Sequence, residues 1–160
     1  MRWKTLAATL LVATAMAGPS TSQVGFNNRE AAENGWSMEQ NRSAAWHYAQ
    51  HRRLSSALAT LQPQRQGIID AYVVSIGLDS DPVFGREAGE AQKVLTRRYG
   101  ATGRSIFLAA GAGKETIGTP QGSPPNLATA LSAVAAKMNV KEDVLVLFAT
   151  THGDPKLGLV

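Results

Sequence analysis

Three short apolar runs and two amphipathic segments alternate along the chain after residue 63. The apolar runs are rich in β-branched residues and are typical of strands covered on both faces. They span Ile68 to Ile76, Ser105 to Ala110 and Asp143 to Phe148. The order strand, helix, strand, helix, strand predicts an α/β fold with a mostly parallel sheet, right-handed crossovers and helices packed on the sheet.

The two helices between these strands are indicated by their ends as well as by their periodicity. Asp81 and Pro82 suit the N-cap and first position of one helix, and Gly100 suits its C-terminal end. Ser123 and Pro124 open the second helix in the same way. Apolar residues recur at helical spacing in both segments: Phe84, Ala88, Ala91, Leu95 and Tyr99 in the first, and Leu127, Leu131, Val134 and Met138 in the second.

The first 36 residues have the pattern of a signal peptide and a linker. Residues 1–17 contain Arg2, Lys4, an uncharged apolar stretch and a small-residue site at Ala15 to Ala17. Residues 18–36 are polar and glycine-rich. We expect an exported protein, periplasmic or secreted. We expect no membrane anchor in the mature chain, because no later apolar stretch approaches the ~18 residues that a span needs. The alternative for the apolar stretch is a buried N-terminal helix.

Residues 37–62 are predicted to form an amphipathic helix that lies against the domain that follows. Pro63 blocks its continuation. Arg42, Arg52 and Arg53 lie off its apolar stripe. The stripe consists of Trp46, Leu54, Ala57, Leu58 and Leu61.

Composition narrows the class of protein. A chain of 160 residues with 44% hydrophobic and 18% charged residues is long enough for one compact domain and too apolar for a wholly disordered chain. It contains no Cys, which excludes disulfides, thiolate zinc sites and a thiol nucleophile within these residues. The formal net charge of +4 is a mild excess and does not by itself indicate nucleic acid as a partner.

Two candidate ligand sites fail on their own chemistry. The run Gly111 to Lys114 resembles a phosphate loop, but Leu108 stands where its first Gly is required and Glu115 where a Ser or Thr should bind magnesium. Asp79 and Asp81 are a possible cation pair, but Asp81 is better explained as a helix cap. We expect neither a nucleotide nor a metal here.

Histidine and arginine pairs are equally weak signals. His47 and His51 lie one helical turn apart, but Tyr48 replaces the Glu of the metalloprotease pattern, and two half-exposed helix histidines are the simpler interpretation. The pairs Arg52-Arg53 and Arg97-Arg98 have no accompanying nucleic-acid motif. We therefore predict no metal, no other cofactor and no nucleic acid.

His152 is the most informative residue. It follows the third predicted strand, and in open parallel sheets the functional groups collect beyond the carboxyl ends of the strands. An imidazole there can act as a general base near neutral pH, and the N–H of Gly153 can face a developing oxyanion. From these residues alone a structural role for His152 remains open.

The runs DVLVLFATTHG (Asp143 to Gly153) and DAYVVSIGLDSDPVFGREAGEAQKVL (Asp70 to Leu95) resemble clan CD cysteine peptidases. With RRYGATGRSIFLAA and GSPPNLATAL, they are similar to bacterial members of the legumain family, the thirteenth family of cysteine peptidases. The resemblance covers about residues 61–160. It implies a caspase-like three-layer fold, of which residues 63–160 would be the N-terminal part.

The resemblance also implies roles for individual residues. His152 would be the histidine of a Cys–His dyad, Gly153 an oxyanion donor and Arg86 a residue of the substrate pocket. The substrate would be a peptide or protein. In the family an Asn two residues before the pocket Arg orients the His. Phe84 stands at that place here and cannot play the role of the Asn, so asparagine specificity is not implied.

The nucleophile of the family follows a fourth strand, which would pair with the strand at Asp143 to Phe148. Without it we expect that strand to be an apolar open edge, and the 160-residue chain to be inactive and prone to aggregation. Two alternatives remain open. One is an exported pseudo-peptidase or peptide-binding module of the same fold, and the other is an α/β ligand-binding protein in which His152 is structural.

Overall fold

A computed structural model of the chain describes residues 42–78, 81–110, 118–154, 156 and 158–159. The predicted signal peptide (1–17) and linker (18–36) lie outside the described residues. So do Asp79 and the run from Gly111 to Lys114.

The elements follow the predicted order. Helix α1 spans Ala44–Ala59, β1 Ala71–Gly77, α2 Pro82–Arg98, β2 Ser105–Ala109, α3 Pro124–Ala135 and β3 Val144–Thr150. Two strands of two residues each, β4 (Gly153–Asp154) and β5 (Gly158–Leu159), come last and pair antiparallel. The predicted α/β class is thus confirmed for the described residues.

The helix starts are set by side-chain caps. Asp81 accepts a hydrogen bond from the backbone N–H of Val83 at 2.9 Å, and Pro82 follows at the first position of α2. Ser123 and Pro124 start α3 in the same manner, as the sequence predicts. Of the helix predicted over 37–62, residues 37–41 lie outside the described residues. Residues 42 and 43 are not helical, because Ser43 caps the helix and accepts from the N–H of Trp46.

β1, β2 and β3 form a parallel sheet in the order β2-β1-β3. Val73 pairs with Ser105 on one side and with Val146 on the other, so β1 is the central strand. The predicted start of β1 at Ile68 is wrong by three residues. The N–H of Ile68 closes a turn on the carbonyl of Arg65, and both Ile68 and Ile69 are exposed.

Helices cover both faces of β1. On one face α1 and α3 contribute to a core with alternate residues of β1 and β2. That core contains Leu54, Leu61, Tyr72, Val74, Ile76, Ile106, Leu108, Ala130 and Val134. On the other face the buried hydroxyl of Ser75 donates to the carbonyl of Ala88 in α2 at 2.6 Å. The described residues therefore form three layers, helix on sheet on helix.

A buried polar network holds the amino end of β1. Asp70 accepts hydrogen bonds from the backbone N–H and the guanidinium of Arg65, and Nε of Arg104 lies 3.3 Å from its Oδ2 as an ion pair rather than a hydrogen bond. The hydrogen bonds from Arg65 outweigh burial and lower the pKa of Asp70 below its usual value. Nearby, burial raises the pKa of Tyr72, whose hydroxyl lies 3.1 Å from the carbonyls of Gln62 and Lys137. This network lies at the end of the sheet opposite His152.

Candidate functional site

The carboxyl ends of β1 and β3 meet at one edge of the sheet. Gly77 pairs with Thr150, and the N–H of Leu78 donates to the carbonyl of Thr150 at 3.0 Å. His152 follows two residues later and is half-buried. The predicted location of His152, beyond the end of a strand rather than inside the core, is therefore what the structure shows.

The first turns of α2 contact this edge from the side. The rings of Phe84 and His152 lie 4.9 Å apart between centroids with an angle of 87° between their planes, an edge-to-face contact. Gly77 makes this approach possible, because a Cβ at Gly77 would lie 2.9 Å from the carbonyl oxygen of Phe84. The lack of a side chain at the end of β1 thus places Phe84 against the candidate histidine.

One helical turn further along α2, Glu87 contacts the last residue of β3. The hydroxyl of Thr150 donates to Oε2 of Glu87 at 2.7 Å, and Thr150 is only 8% exposed. Phe84 and Glu87 are three positions apart in the sequence and therefore lie on one face of the helix. The same helix face consequently holds both Thr150 and the imidazole that follows it.

Gly153 begins the short β4–β5 hairpin and is exposed. Sequence reasoning missed this hairpin, since two-residue strands leave no periodicity to detect. Arg86 lies on the first turns of α2, two residues after Phe84, and is exposed. The residue in direct contact with the imidazole is Phe84, and positions two apart on a helix do not share a face, so Arg86 is not brought against His152.

The rival histidine pair lies on α1, and Asp81 of the rival carboxylate pair caps α2. His47 and His51 are both exposed on α1, and the ring of His47 packs edge-on against Trp46 at 5.0 Å. No group of three metal-ligating side chains occurs in the described ranges. Asp81 is engaged as the cap of α2. None of the helices in the described part of the chain has the length and apolar character that crossing a bilayer requires.

Sequence reasoning did not find the contacts of Phe84 and Glu87. The periodicity predicts Phe84 on the apolar stripe of its helix, and Phe84 is buried, but its aromatic partner His152 is remote in sequence. The only local signal was the spacing of Phe84 and Glu87, which places both on one face.

Comparison of the chain with protein-family models, with curated proteins and with solved structures gave no match. The resemblance to the legumain family therefore rests on the quoted residues alone.

Proposed function

We propose that this chain is the N-terminal part of an exported cysteine peptidase of the legumain family, with a caspase-like fold, in which His152 is the histidine of a Cys–His dyad. The observation that supports it most is the place of His152. The imidazole is half-buried beyond the carboxyl end of β3, beside the end of the central strand. That is where an open parallel sheet collects its functional groups.

The open side of β3 supports the same proposal. Among the described residues β3 pairs with β1 only, and its other edge has no strand partner. The 160 residues contain no Cys, so the nucleophile would come from a further strand that pairs with this edge. Its carboxyl end would then reach the edge of the sheet that carries His152.

The reaction would be acyl transfer from a peptide. The thiolate attacks the scissile carbonyl carbon, and the carbonyl π electrons move to oxygen, where the N–H of Gly153 would donate a hydrogen bond. When the C–N bond breaks, the protonated His152 delivers its proton to the leaving amine. His152 then accepts a proton from the water that hydrolyses the thioester. Arg86, exposed on the first turns of α2, would contact the substrate.

Two experiments test this function. The first is to sequence the gene beyond the codon for Val160, where we expect an apolar strand followed by a Cys within a few dozen codons; an open reading frame without them contradicts the proposal. The second is His152→Ala in the complete gene product, for which loss of a general base predicts at least a ~100-fold fall in peptidase turnover. His51→Ala, which alters an exposed histidine on α1, is the matched control. Unchanged turnover in His152→Ala would make His152 a structural residue.

The absence of Cys favours a second candidate, an exported pseudo-peptidase or peptide-binding module of the same fold. A peptide that carries a thiol-reactive group separates the two. Covalent labelling of the native cellular product supports the peptidase, whereas peptide binding without labelling supports the module.

Export is proposed on the pattern of residues 1–17. Mass spectrometry of the N-terminus of the cellular product should show a mature chain that begins at Gly18. A chain that retains Met1 or Arg2 contradicts cleavage at the Ala15 to Ala17 site.

A further inference from the structure

We propose that Phe84 is the positioning residue that fixes the orientation of the His152 imidazole. The inference deepens the proposed function, since it assigns to this chain the means by which its candidate dyad histidine is aimed. It rests on the edge-to-face contact of the two rings, 4.9 Å apart and at 87°.

Phe84 is itself held firmly from both sides. Its backbone N–H donates to the carbonyl of Asp81 at 3.1 Å within the capped start of α2. Its carbonyl oxygen lies against Gly77, at a distance that leaves no room for a Cβ on that residue. The residue as a whole is 7% exposed. A side chain that is buried on a capped helix, with its backbone packed on the central strand, has little freedom to move.

His152 is tethered to the same helix over a short distance. Thr150 donates to Glu87 at 2.7 Å and its carbonyl accepts from the N–H of Leu78. Only Thr151 separates this anchored residue from the histidine. The backbone of His152 is therefore confined to the vicinity of α2.

An aromatic ring at residue 84 can favour one rotamer of the His152 imidazole where an aliphatic side chain cannot. The face of Phe carries negative and the edge positive partial charge, so a perpendicular arrangement of two rings is favoured over a parallel face-to-face one. An aliphatic side chain of similar volume fills the space without this directional preference. The contact thus predicts one dominant χ1 rotamer for His152 as long as residue 84 is aromatic.

The test measures the rotamer directly in the complete gene product. NMR three-bond couplings of His152 report χ1, and with three histidines in the sequence the His152→Gln variant identifies its signals. We expect a single rotamer in the wild-type chain, rotamer averaging in Phe84→Leu and a single rotamer again in Phe84→Tyr. Phe107→Leu is the matched control, because Phe107 also packs on α2, beside Gly89; it should leave the His152 couplings unchanged.

Two results overturn the proposal. One is rotamer averaging of His152 in the wild-type chain, a result that does not depend on whether Phe84→Leu folds. The other is a single rotamer in a folded Phe84→Leu, which would leave Phe84 with a packing role only. Neither readout involves a thiol, so positioning and peptidase function can fail separately.

The rotamer of His152 and the peptidase activity are then compared in the same variants of the complete gene product. Phe84→Leu should lower kcat by about 10- to 100-fold with little change in KM, as expected for a misaimed catalytic group, and Phe84→Tyr should restore it. If the rotamer effect is confirmed in a product that shows no thiol reactivity, Phe84 remains a positioning residue and the peptidase function is rejected.

Discussion

β1 and β3 are almost equally apolar strands in opposite surroundings. β1 pairs on both edges and has helices on both faces, and Tyr72, Val73, Val74 and Ile76 are completely buried. β3 pairs on one edge, and Val144, Leu145 and Leu147 are 46%, 41% and 37% exposed. In a parallel sheet, paired residues point to the same face, so Leu145 and Leu147 share the face of Tyr72 and Val74. Yet α1 and α3 cover the residues of β1 and β2 on this face and leave Leu145 and Leu147 exposed.

The difference shows what an apolar strand pattern measures. The composition of β3 predicts a strand that requires cover on both faces, and the structure confirms the strand while leaving one face and one edge open within the described residues. β3 also carries no charge, Pro or Gly, the usual protections of an edge strand. β3 therefore has the sequence of an inner strand at the place of an outer one.

The largest effect that tests this contrast is a cavity in the centre of β1. Ile76→Ala removes a completely buried side chain and should lower the free energy of unfolding by about 2–5 kcal/mol. Leu147→Ala, the matched deletion on β3, removes a side chain that already contacts solvent and should cost about 1 kcal/mol or less. Urea denaturation of both variants gives the two values. Equal losses would mean that β3 is covered in solution.

The second effect concerns the amino end of β1 and depends on pH. Because the pKa of Asp70 is lower in the folded chain than in the unfolded one, its ionised form stabilises the fold above the unfolded pKa. That stability should be lost as the pH falls through the folded value, below about pH 4. Asp70→Asn should therefore be less stable at neutral pH and show a flatter acid limb in urea denaturation.

Arg65→Met separates this cause from general acid sensitivity. Arg65 supplies the largest contribution to the lowered pKa of Asp70, so its loss should flatten the acid limb part of the way towards that of Asp70→Asn. An acid limb identical to that of the wild type in both variants would show that Asp70 does not control the pH dependence of stability.

A structural feature of this chain could be predicted where its cause lies in residues close by in the sequence. The caps at Asp81 and Ser123 and the two helices that they open depend on neighbours within one turn, and the sequence displays those neighbours. The start of β1 depends on a turn at Arg65 and on the remote partners of Asp70, so the apolar pair Ile68 and Ile69 suggested a strand where none exists.

The candidate site shows the same division. The position of His152 follows from strand order, which the sequence pattern indicates, whereas the contact with Phe84 depends on how closely α2 approaches the sheet. That approach is possible because Gly77 has no side chain. Gly122 likewise packs so closely that a Cβ there would overlap the carbonyl oxygen of Gly77. Neither approach has a local signature, since glycine is common in loops for other reasons.

A third, smaller effect compares the carboxyl ends of the two strands. β1 ends at Gly77, whose carbonyl accepts from the N–H of Ala110, while β3 ends with a side-chain anchor from Thr150 to Glu87. Thr150→Val keeps the shape and removes the donor, which should cost about 0.5–1.5 kcal/mol in thermal or urea denaturation. Glu87→Gln keeps an acceptor oxygen and should cost less. A Thr150→Val chain as stable as the wild type would show that β3 does not need this anchor.

The smallest effect on stability, and the sharpest test of the open edge, is a charge on β3. We expect the wild-type chain to associate through this strand, so that it does not melt cooperatively as a monomer above ~50 °C, an ordinary value for a mesophilic domain. Leu147→Lys should change the unfolding free energy by less than about 1 kcal/mol, because the side chain is already partly exposed. It should nevertheless shift the chain towards the monomer in sedimentation velocity.

Val94→Lys adds the same charge at an exposed apolar position of α2, away from the β3 edge, and controls for net charge. An equal increase in the monomer fraction in both variants would show that association depends on overall charge. A wild-type chain that is already monomeric would show that β3 does not mediate association.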